Sequence, residues 1–202
     1  MNIERDFLQG KKIAIEKLKK AKMENKVDSG IETVLDIINN SNDYYTSSSC
    51  YGRIVLLEIP NIGDKKRAKF LGKWHRTIDV DELYSAAKMA KFGQIWLLSQ
   101  SPIIHISAKT NESADRLLKT AISCGFKNSG LKSLGRKIVI EICSTERLDV
   151  PVGNDGILFS SKKHLELLTS ISNEILKKST DKMKKFEREI KKDLSTHKTT
   201  NK

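Results

Sequence analysis

Residues 46–58 read "TSSSCYGRIVLLE" and join the most reactive side-chain types of the chain to an apolar segment. Four hydroxyl residues and a cysteine come first, a glycine and an arginine follow, and the apolar run has the composition of a strand. We predict a polar loop that leads into a strand over Arg53–Ile59, which Pro60 ends. On these residues alone, the loop is either a polar turn over a buried thiol or a binding loop at the mouth of a strand.

Outward from this strand, amphipathic spacing, capping residues and terminal glycines predict the other elements. We expect helices over 3–24, 29–40, 80–91, 110–125 and from 162 onward, the last either ending near 178 or continuing through 194 before a disordered tail. We expect strands over 69–76, 94–99, 102–108 and 137–142, a polar hairpin or bend before the last of them, and a loop over 148–160.

Helical and strand patterns therefore alternate, but without the strict order of a parallel sheet. This favours the α+β (mixed α/β) class, with a mixed sheet flanked by helices. We predict a single domain, in which 1–160 form the core with the N-terminal helices, and 161–202 form a basic amphipathic C-terminal helix with a flexible tail.

The excess of positive charge is concentrated in two segments of the chain. The formal net charge is +12, and half of the excess lies in 65–76, "KKRAKFLGKWHR", which has six Lys or Arg and no acid. Residues 177–202 carry the other half, with ten basic and four acidic residues. Nucleic acid is the expected partner of two such patches, and a lysine-rich, highly charged surface is the alternative.

Several classes of protein are disfavoured by what the sequence lacks. It has no apolar run long enough to span a membrane and no apolar signal core at its start, so we expect a cytoplasmic protein. The three cysteines form no CxxC pair and the four histidines no HxxxH pair, which argues against disulfides and against a metal site. No GxGxxG or P-loop motif is present, and no motif predicts a protein partner.

The residues of the opening stretch support nucleophilic or binding chemistry. Cys50 beside Arg53 is a candidate thiolate nucleophile, although its partner histidine cannot be placed. The serines offer hydroxyls, Gly52 permits close approach of a ligand to the backbone, and Arg53 offers a planar fork for a carboxylate or phosphate. Trp74 is either a stacking platform for an unpaired base or a half-buried core residue. His105, inside an apolar strand, is either a catalyst or a hydrogen-bonded core histidine.

Five motifs in order, "SSSCYGRIVLLE", "KWHR", "SPIIHIS", "CGFKNSG" and "VPVGNDG", resemble the third protein of wybutosine synthesis, a family of tRNA methyltransferases of archaea and eukaryotes. The resemblance covers roughly residues 1–190. It implies an S-adenosylmethionine-dependent enzyme that methylates N4 of the tricyclic demethylwyosine-type base 3′ of the anticodon of tRNA-Phe. It also implies a fold other than the usual Rossmann methyltransferase.

The resemblance also assigns roles to residues of this chain. It places His75, His105 and Asp155 at positions of the family's motifs. We hypothesise that His75 or His105 is the catalytic base that removes the ring-nitrogen proton, with Asp155 as a further candidate. Tyr51 stands where the family usually has serine. The cofactor-binding residues it implies are Ser48, Ser49, Gly52, Arg53 and Ser129. We expect Ser49, Arg53 and both imidazoles to line one cavity.

Lysines and arginines of the two basic segments would hold the anticodon arm. The RNA-binding residues that we predict are Lys65, Lys66, Arg67, Lys69, Lys73, Trp74, Arg76, Lys182, Lys184 and Lys185. Removing everything after about Lys178 should then weaken tRNA binding without abolishing chemistry. The competing hypotheses are a non-enzymatic basic RNA-binding module and a cysteine hydrolase built on Cys50.

Overall fold

The computed structural model describes residues 3–64 and 66–200, with side chains from 4 to 196. The described helices are α1 (Ile3–Met23), α2 (Glu32–Asn39), α3 (Val80–Ala87), α4 (Asn111–Ser123) and α5 (Lys162–Thr200). The described strands are β1 (Tyr44–Cys50), β2 (Arg53–Ile59), β3 (Lys69–Trp74), β4 (Gln94–Gln100), β5 (Ile103–Ala108), β6 (Gly130–Leu134), β7 (Ile138–Cys143), β8 (Arg147–Asn154) and β9 (Ile157–Leu158).

The strands form two sheets in two compact units. Unit 1 takes the described residues of Met1–Tyr51, Pro102–Thr145 and Thr180–Lys202, and unit 2 those of Gly52–Ser101 and Glu146–Ser179. Sheet A, in unit 1, has the order β1-β5-β7-β6, and sheet B, in unit 2, has the order β3-β2-β4-β8-β9. All neighbouring strands are antiparallel.

The core of unit 1 lies on one face of sheet A. Alternate residues of β5 and β7, such as Ile104 and Ile140, are fully buried there against α2, α4 and the last turns of α5. Phe126 and Phe186 meet edge to face with 5.8 Å between ring centroids. A capping box, in which the Thr110 hydroxyl accepts from the Ser113 N–H, begins α4 at the predicted place.

The core of unit 2 lies in the same way on one face of sheet B. Ile54, Leu97 and their neighbours are buried against α3 and the first half of α5. Asp79 and Glu82 form the capping box that begins α3. The residues of β4 alternate strictly between buried and half-buried. The half-buried side chains lie on the face of sheet B opposite its core.

The stretch predicted as a loop before β2 is a strand instead. Residues 44–50 pair with β5 from Tyr44 opposite Ala108 to Cys50 opposite Ile103, with a bulge at Ser47. Strand formation is decided here by the partner β5, which the hydroxyl-rich sequence does not reveal. Gly52, with φ of 94°, then turns the chain between β1 and β2.

Two further expectations about elements are wrong. The loop over 148–160 contains β8 and β9, and Pro151 is tolerated because β9 pairs only with Gly153 and Asn154, which leaves Pro151 in an edge portion of β8. The described part of the expected tail, 195–200, continues α5. Of the two alternatives before β7, a polar hairpin or a bend, the structure has the hairpin, formed by β6 and β7.

The α+β class with a long basic C-terminal helix is confirmed, although two antiparallel sheets replace the one mixed sheet that we expected. The organisation of 1–160 and 161–202 as one domain stays a prediction. Among the described residues, no helix combines the length and the apolar character needed to cross a membrane.

Candidate functional site

Four polar side chains form a continuous row across the face of sheet A opposite its core. Ser48 Oγ lies 2.9 Å from His105 Nδ1, and His105 Nε2 lies 3.0 Å from Glu141 Oε2. The other oxygen of Glu141 lies 2.7 Å from Lys132 Nζ. Strand register produces the row, because Ser48 is directly opposite His105 and His105 is opposite Glu141. We call these four residues the polar row.

The charges of the polar row hold the ring of its histidine in place. The hydrogen bond from Lys132 lowers the pKa of Glu141, and the same contact raises the pKa of Lys132, so the pair is ionised at neutral pH. In the Nε2–H tautomer of His105, the carboxylate accepts from Nε2–H and the Nδ1 lone pair accepts from the Ser48 hydroxyl. The row can therefore accept a proton at its Ser48 end and stabilise the resulting imidazolium.

A cleft of about 600 Å³ lies on the same face, between α1 and sheet A. Helix α1 approaches the sheet where Phe7 packs on Tyr45, and it needs Gly10, since a Cβ there would lie 2.5 Å from the Tyr45 hydroxyl. The cleft is lined by the apolar side of α1, the hydroxyls of Ser47, Ser48, Ser49 and Ser107, and the charged groups of Lys17, Lys26, Asp28 and Lys137.

A second depression of about 610 Å³ continues the cleft along α1. The two share Gly10, Ile13, Lys137 and Val139. The surface beside the polar row therefore has room for more than one small ligand.

The predicted site residues of unit 1 have different surroundings. Ser48 and Ser49 line the cleft, and His105 belongs to the polar row. Ser129 has a structural contact: its hydroxyl donates to the Phe126 carbonyl at 2.7 Å and accepts from the Cys143 N–H at 3.1 Å. These hydrogen bonds give Ser129 a structural role, and its role in cofactor binding stays a prediction.

The other predicted site residues lie in unit 2. Arg53 is half-buried and donates from Nε to Gln100 at 2.8 Å, which leaves its terminal nitrogens for a ligand. His75 is exposed directly after β3. The Asp155 carboxylate accepts from the Gly93 N–H at 2.7 Å and so braces a turn. The roles predicted for these residues and for Gly52, and the single cavity joining them to Ser49 and His105, stay predictions.

Several basic side chains of the segment 65–76 form ion pairs with acidic residues, so they are less available to RNA than the composition suggests. Arg67 pairs with Asp64, Arg76 with Glu82, and Lys69 with the buried Glu58. Lys66 and Lys73 are exposed, and Lys65 lies outside the described residues. Trp74 is half-buried, packs against the core of unit 2, and lies over Gly72, where any Cβ would overlap its ring.

The second basic segment is also partly used within unit 1. Lys182 donates to Ser144 at 3.0 Å, and Lys185 donates to the Ser123 carbonyl at 2.9 Å. Lys184 is exposed. RNA binding by these lysines stays a prediction.

The sequence reasoning missed Glu141, Lys132 and the charged groups of the cleft. Glu141 gave a usable signal, because it is the one charged residue in the strand "IVIEIC" and alternates with buried isoleucines. Its partnership with His105 depends on strand register, which no local pattern reports.

Comparison with known proteins assigns the chain to a family. The family model described as "Methyltransferase TYW3" matches residues 9–192. The chain belongs to the TYW3 methyltransferase family. The resemblance predicted from the five motifs, and the prediction of a methyltransferase, are therefore confirmed.

Curated relatives of this chain are named for one methyltransferase activity. A Thermococcus sibiricus protein named tRNA(Phe) 7-((3-amino-3-carboxypropyl)-4-demethylwyosine(37)-N(4))-methyltransferase is 43% identical over 190 residues, 94% of this chain and 96% of that protein. A Pyrococcus furiosus protein of the same name, numbered 1, is 42% identical over 94% of this chain and 97% of its own length. The solved structure of the PH1069 protein from Pyrococcus horikoshii has a TM-score of 0.90 and 41% identity, covering 94% of this chain and 98% of that one.

Proposed function

We propose that this protein uses S-adenosylmethionine to methylate N4 of the demethylwyosine-type base beside the anticodon of tRNA-Phe. The family and the names of its relatives support the reaction. The observation within the chain that carries the proposal is the polar row, because it gives a ring N–H a proton acceptor at the edge of a ligand-sized cleft. A tRNA substrate would place the protein in the cytoplasm.

The residues of the cleft fit the proposed methyl donor. S-adenosylmethionine, when bound, supplies a methyl group on a sulfonium that is its own leaving group, so the enzyme mainly has to position the reactants. Lys17 and Lys137 would pair with the donor's carboxylate, and Asp28 would accept from its ribose hydroxyls or ammonium. Ser48 and Ser49 supply further hydrogen bonds at the sheet side.

The protein's own step is the removal of a proton. Ser48 would take the proton of the ring N–H and pass its own proton to His105 Nδ1 as the methyl group moves from the sulfonium to the ring nitrogen, so that Ser48 ends neutral and His105 protonated. Glu141 holds the ring of His105 and balances the charge of the imidazolium. A Ser–His–Glu series also occurs in hydrolases, but there the acid binds Nδ1 and the serine Nε2, the reverse of the order found here.

Among the predicted bases, His105 has the best support. Its ring is fixed on both nitrogens by Ser48 and Glu141. The Asp155 carboxylate is occupied by the Gly93 N–H and the Asn154 amide. His75 lies in unit 2 and remains the second candidate.

Mass spectrometry of nucleosides tests the proposed reaction. Purified protein, S-adenosylmethionine and tRNA-Phe carrying the demethylwyosine-type base should give a base heavier by one methyl group, and fragmentation should place the methyl group at N4. Unmodified tRNA-Phe serves as the control substrate. No mass change with the correct substrate would overturn the proposal.

Calorimetry and alkylation of a cysteine separate the competing functions. Calorimetry should show S-adenosylmethionine binding to the free protein, which a simple RNA-binding module would not do. Alkylation of Cys50, which is half-buried at the end of β1, should leave methylation measurable, whereas a cysteine hydrolase requires its thiolate.

A further inference from the structure

The face of sheet B opposite its core presents an apolar row with two aromatic residues. Phe70 is directly opposite Leu57, Leu57 is opposite Trp96, and Trp96 is opposite Pro151, across the four strands β3-β2-β4-β8. Directly opposed residues of antiparallel strands share a face, so these four side chains stand side by side. Phe70 is 56% exposed, and Trp96 is half-buried. We call this surface the outer face.

The apolar cluster of unit 2 accounts for the opposite side of the sheet only. Ile95 and Leu97 of β4 pack with α3 and α5, and Trp96 and Leu98 between and beyond them point the other way. Trp74, predicted to stack on RNA, is opposite Ile54 and so belongs to the core side. The aromatic residues available to a ligand on this sheet are therefore Phe70 and Trp96.

Basic side chains flank the apolar row. In the next row, exposed Lys73 is opposite Val55, and in the row after that Arg53 is opposite Gln100, which is opposite Arg147. Arg147 is 70% exposed and pairs with Asp149. The strand β3 also lies within the segment 65–76, which has six basic residues and no acid.

Aromatic and apolar side chains flanked by cations on an open sheet are suited to one chemical class of ligand. Unpaired nucleotides expose flat bases that stack on aromatic rings and phosphates that pair with Lys and Arg. A duplex hides its bases and would use only the cations. The net charge of +12 also favours a polyanion over a protein partner.

We propose that the outer face of sheet B binds unpaired nucleotides of the RNA substrate, with bases on Phe70 and Trp96 and a phosphate on Lys73. The two rings are separated by one strand, hence by roughly 10 Å, so each would take a different base. This inference deepens the proposed function and rests on it for the identity of the RNA.

The test measures RNA affinity without methylation. A fluorescently labelled single-stranded RNA with the sequence of the tRNA-Phe anticodon loop is titrated with wild type, Phe70→Ala, Phe70→Trp and Leu167→Ala. Leu167 is the matched control, because it is, like Phe70, a 56% exposed apolar residue of unit 2, and it lies on α5, which packs on the core side of sheet B. Phe70→Ala should weaken binding roughly 5- to 150-fold, the loss expected for one stacked base, while Phe70→Trp and Leu167→Ala should bind as wild type.

Two further arms distinguish stacking from charge. Annealing the RNA to its complement should abolish the difference between wild type and Phe70→Ala. Lys73→Ala should lower the slope of log affinity against log salt by about one. Equal affinities of Phe70→Ala and Leu167→Ala, or an equal loss on the duplex, would overturn the inference while leaving the proposed methylation intact. Wild type that binds no single-stranded RNA would also overturn the inference, and the nucleoside masses described above decide the proposed methylation separately.

Discussion

At the scale of single residues, Glu141 shows how a site can depend on a side chain that does no chemistry itself. Its carboxylate lies 3.0 Å from His105 Nε2 and 2.7 Å from Lys132 Nζ. Glu141 therefore links the proposed base, His105, to the ammonium group of Lys132, which keeps Glu141 anionic. Glu141 is therefore a positioning residue in the proposed mechanism, since it acts on the substrate only through His105.

Glu141→Gln should lower the single-turnover methylation rate by about 10²-fold or more, because the amide cannot balance the imidazolium charge. The affinities for tRNA and S-adenosylmethionine should stay within about twofold, and Glu141→Asp should recover part of the rate. Glu166→Gln, at an exposed position of α5, is the control for loss of one carboxylate. A loss of affinity with an unchanged rate would assign Glu141 a purely structural role.

Features that depend on local sequence were predicted, and features that depend on contacts between distant strands were not. The helices were predicted because their caps and periodicity are local, as Thr110 and Asp79 show. Strands β1 and β8 were missed because hydroxyl, glycine and proline residues form strands only when a partner is present. The serines and His105 were predicted as site residues, but Glu141 joins them only through strand register.

At the scale of the strand pair β2–β3, a predicted RNA-binding residue has a structural duty. Lys69 Nζ lies 3.4 Å from the carboxylate of Glu58, whose side chain is fully buried, and the other Glu58 oxygen accepts from the Lys91 N–H at 2.8 Å. Lys69→Ala should cost about 1–3 kcal/mol of unfolding free energy, because it leaves a buried carboxylate without its cation. Exposed Lys66→Ala should change it by less than about 0.5 kcal/mol. Equal urea midpoints for the two variants would contradict this.

The strand pair β6–β7 should give a pH-dependent contribution to stability. The hydrogen bond from Lys132 holds the pKa of Glu141 below its ordinary value of 4.5, so the pair stabilises the fold above that value and loses its effect as pH falls through the lowered pKa. Lys132 is 53% exposed, so Lys132→Met should cost only about 0.5 kcal/mol at about pH 7.

Urea unfolding of wild type and Lys132→Met at about pH 7 and about pH 3 measures this effect. The difference between the two proteins should shrink toward zero at the lower pH. A difference that grows on acidification would show that Lys132 stabilises the fold by something other than Glu141.

At the scale of the whole molecule, α5 combines a structural and a charged surface. Met183, Phe186 and Ile190 are buried in the core of unit 1, so removing everything after about Lys178 would open that core. These buried residues argue against the expectation that this truncation leaves the chemistry intact, which stays a prediction. Loss of Phe186 alone should cost about 3–5 kcal/mol.

A double charge reversal tests the RNA role of α5 without that damage. Lys184→Glu with Lys191→Glu changes exposed residues, and tRNA affinity should fall with a salt slope smaller by about two. Lys163→Glu with Lys177→Glu makes the same change of net charge at exposed positions in the first half of α5. If both pairs weaken binding equally, then the net charge, and not the end of α5, governs the interaction.

The central claim is that the polar row removes the ring-nitrogen proton during methylation of tRNA-Phe. Its most direct test is the single-turnover rate of His105→Gln with saturating tRNA-Phe and S-adenosylmethionine, compared with His164→Gln at an exposed position of α5. We expect His105→Gln to be slower by about 10²- to 10⁴-fold and His164→Gln to match wild type. A His105→Gln protein that methylates at the wild-type rate would contradict the claim.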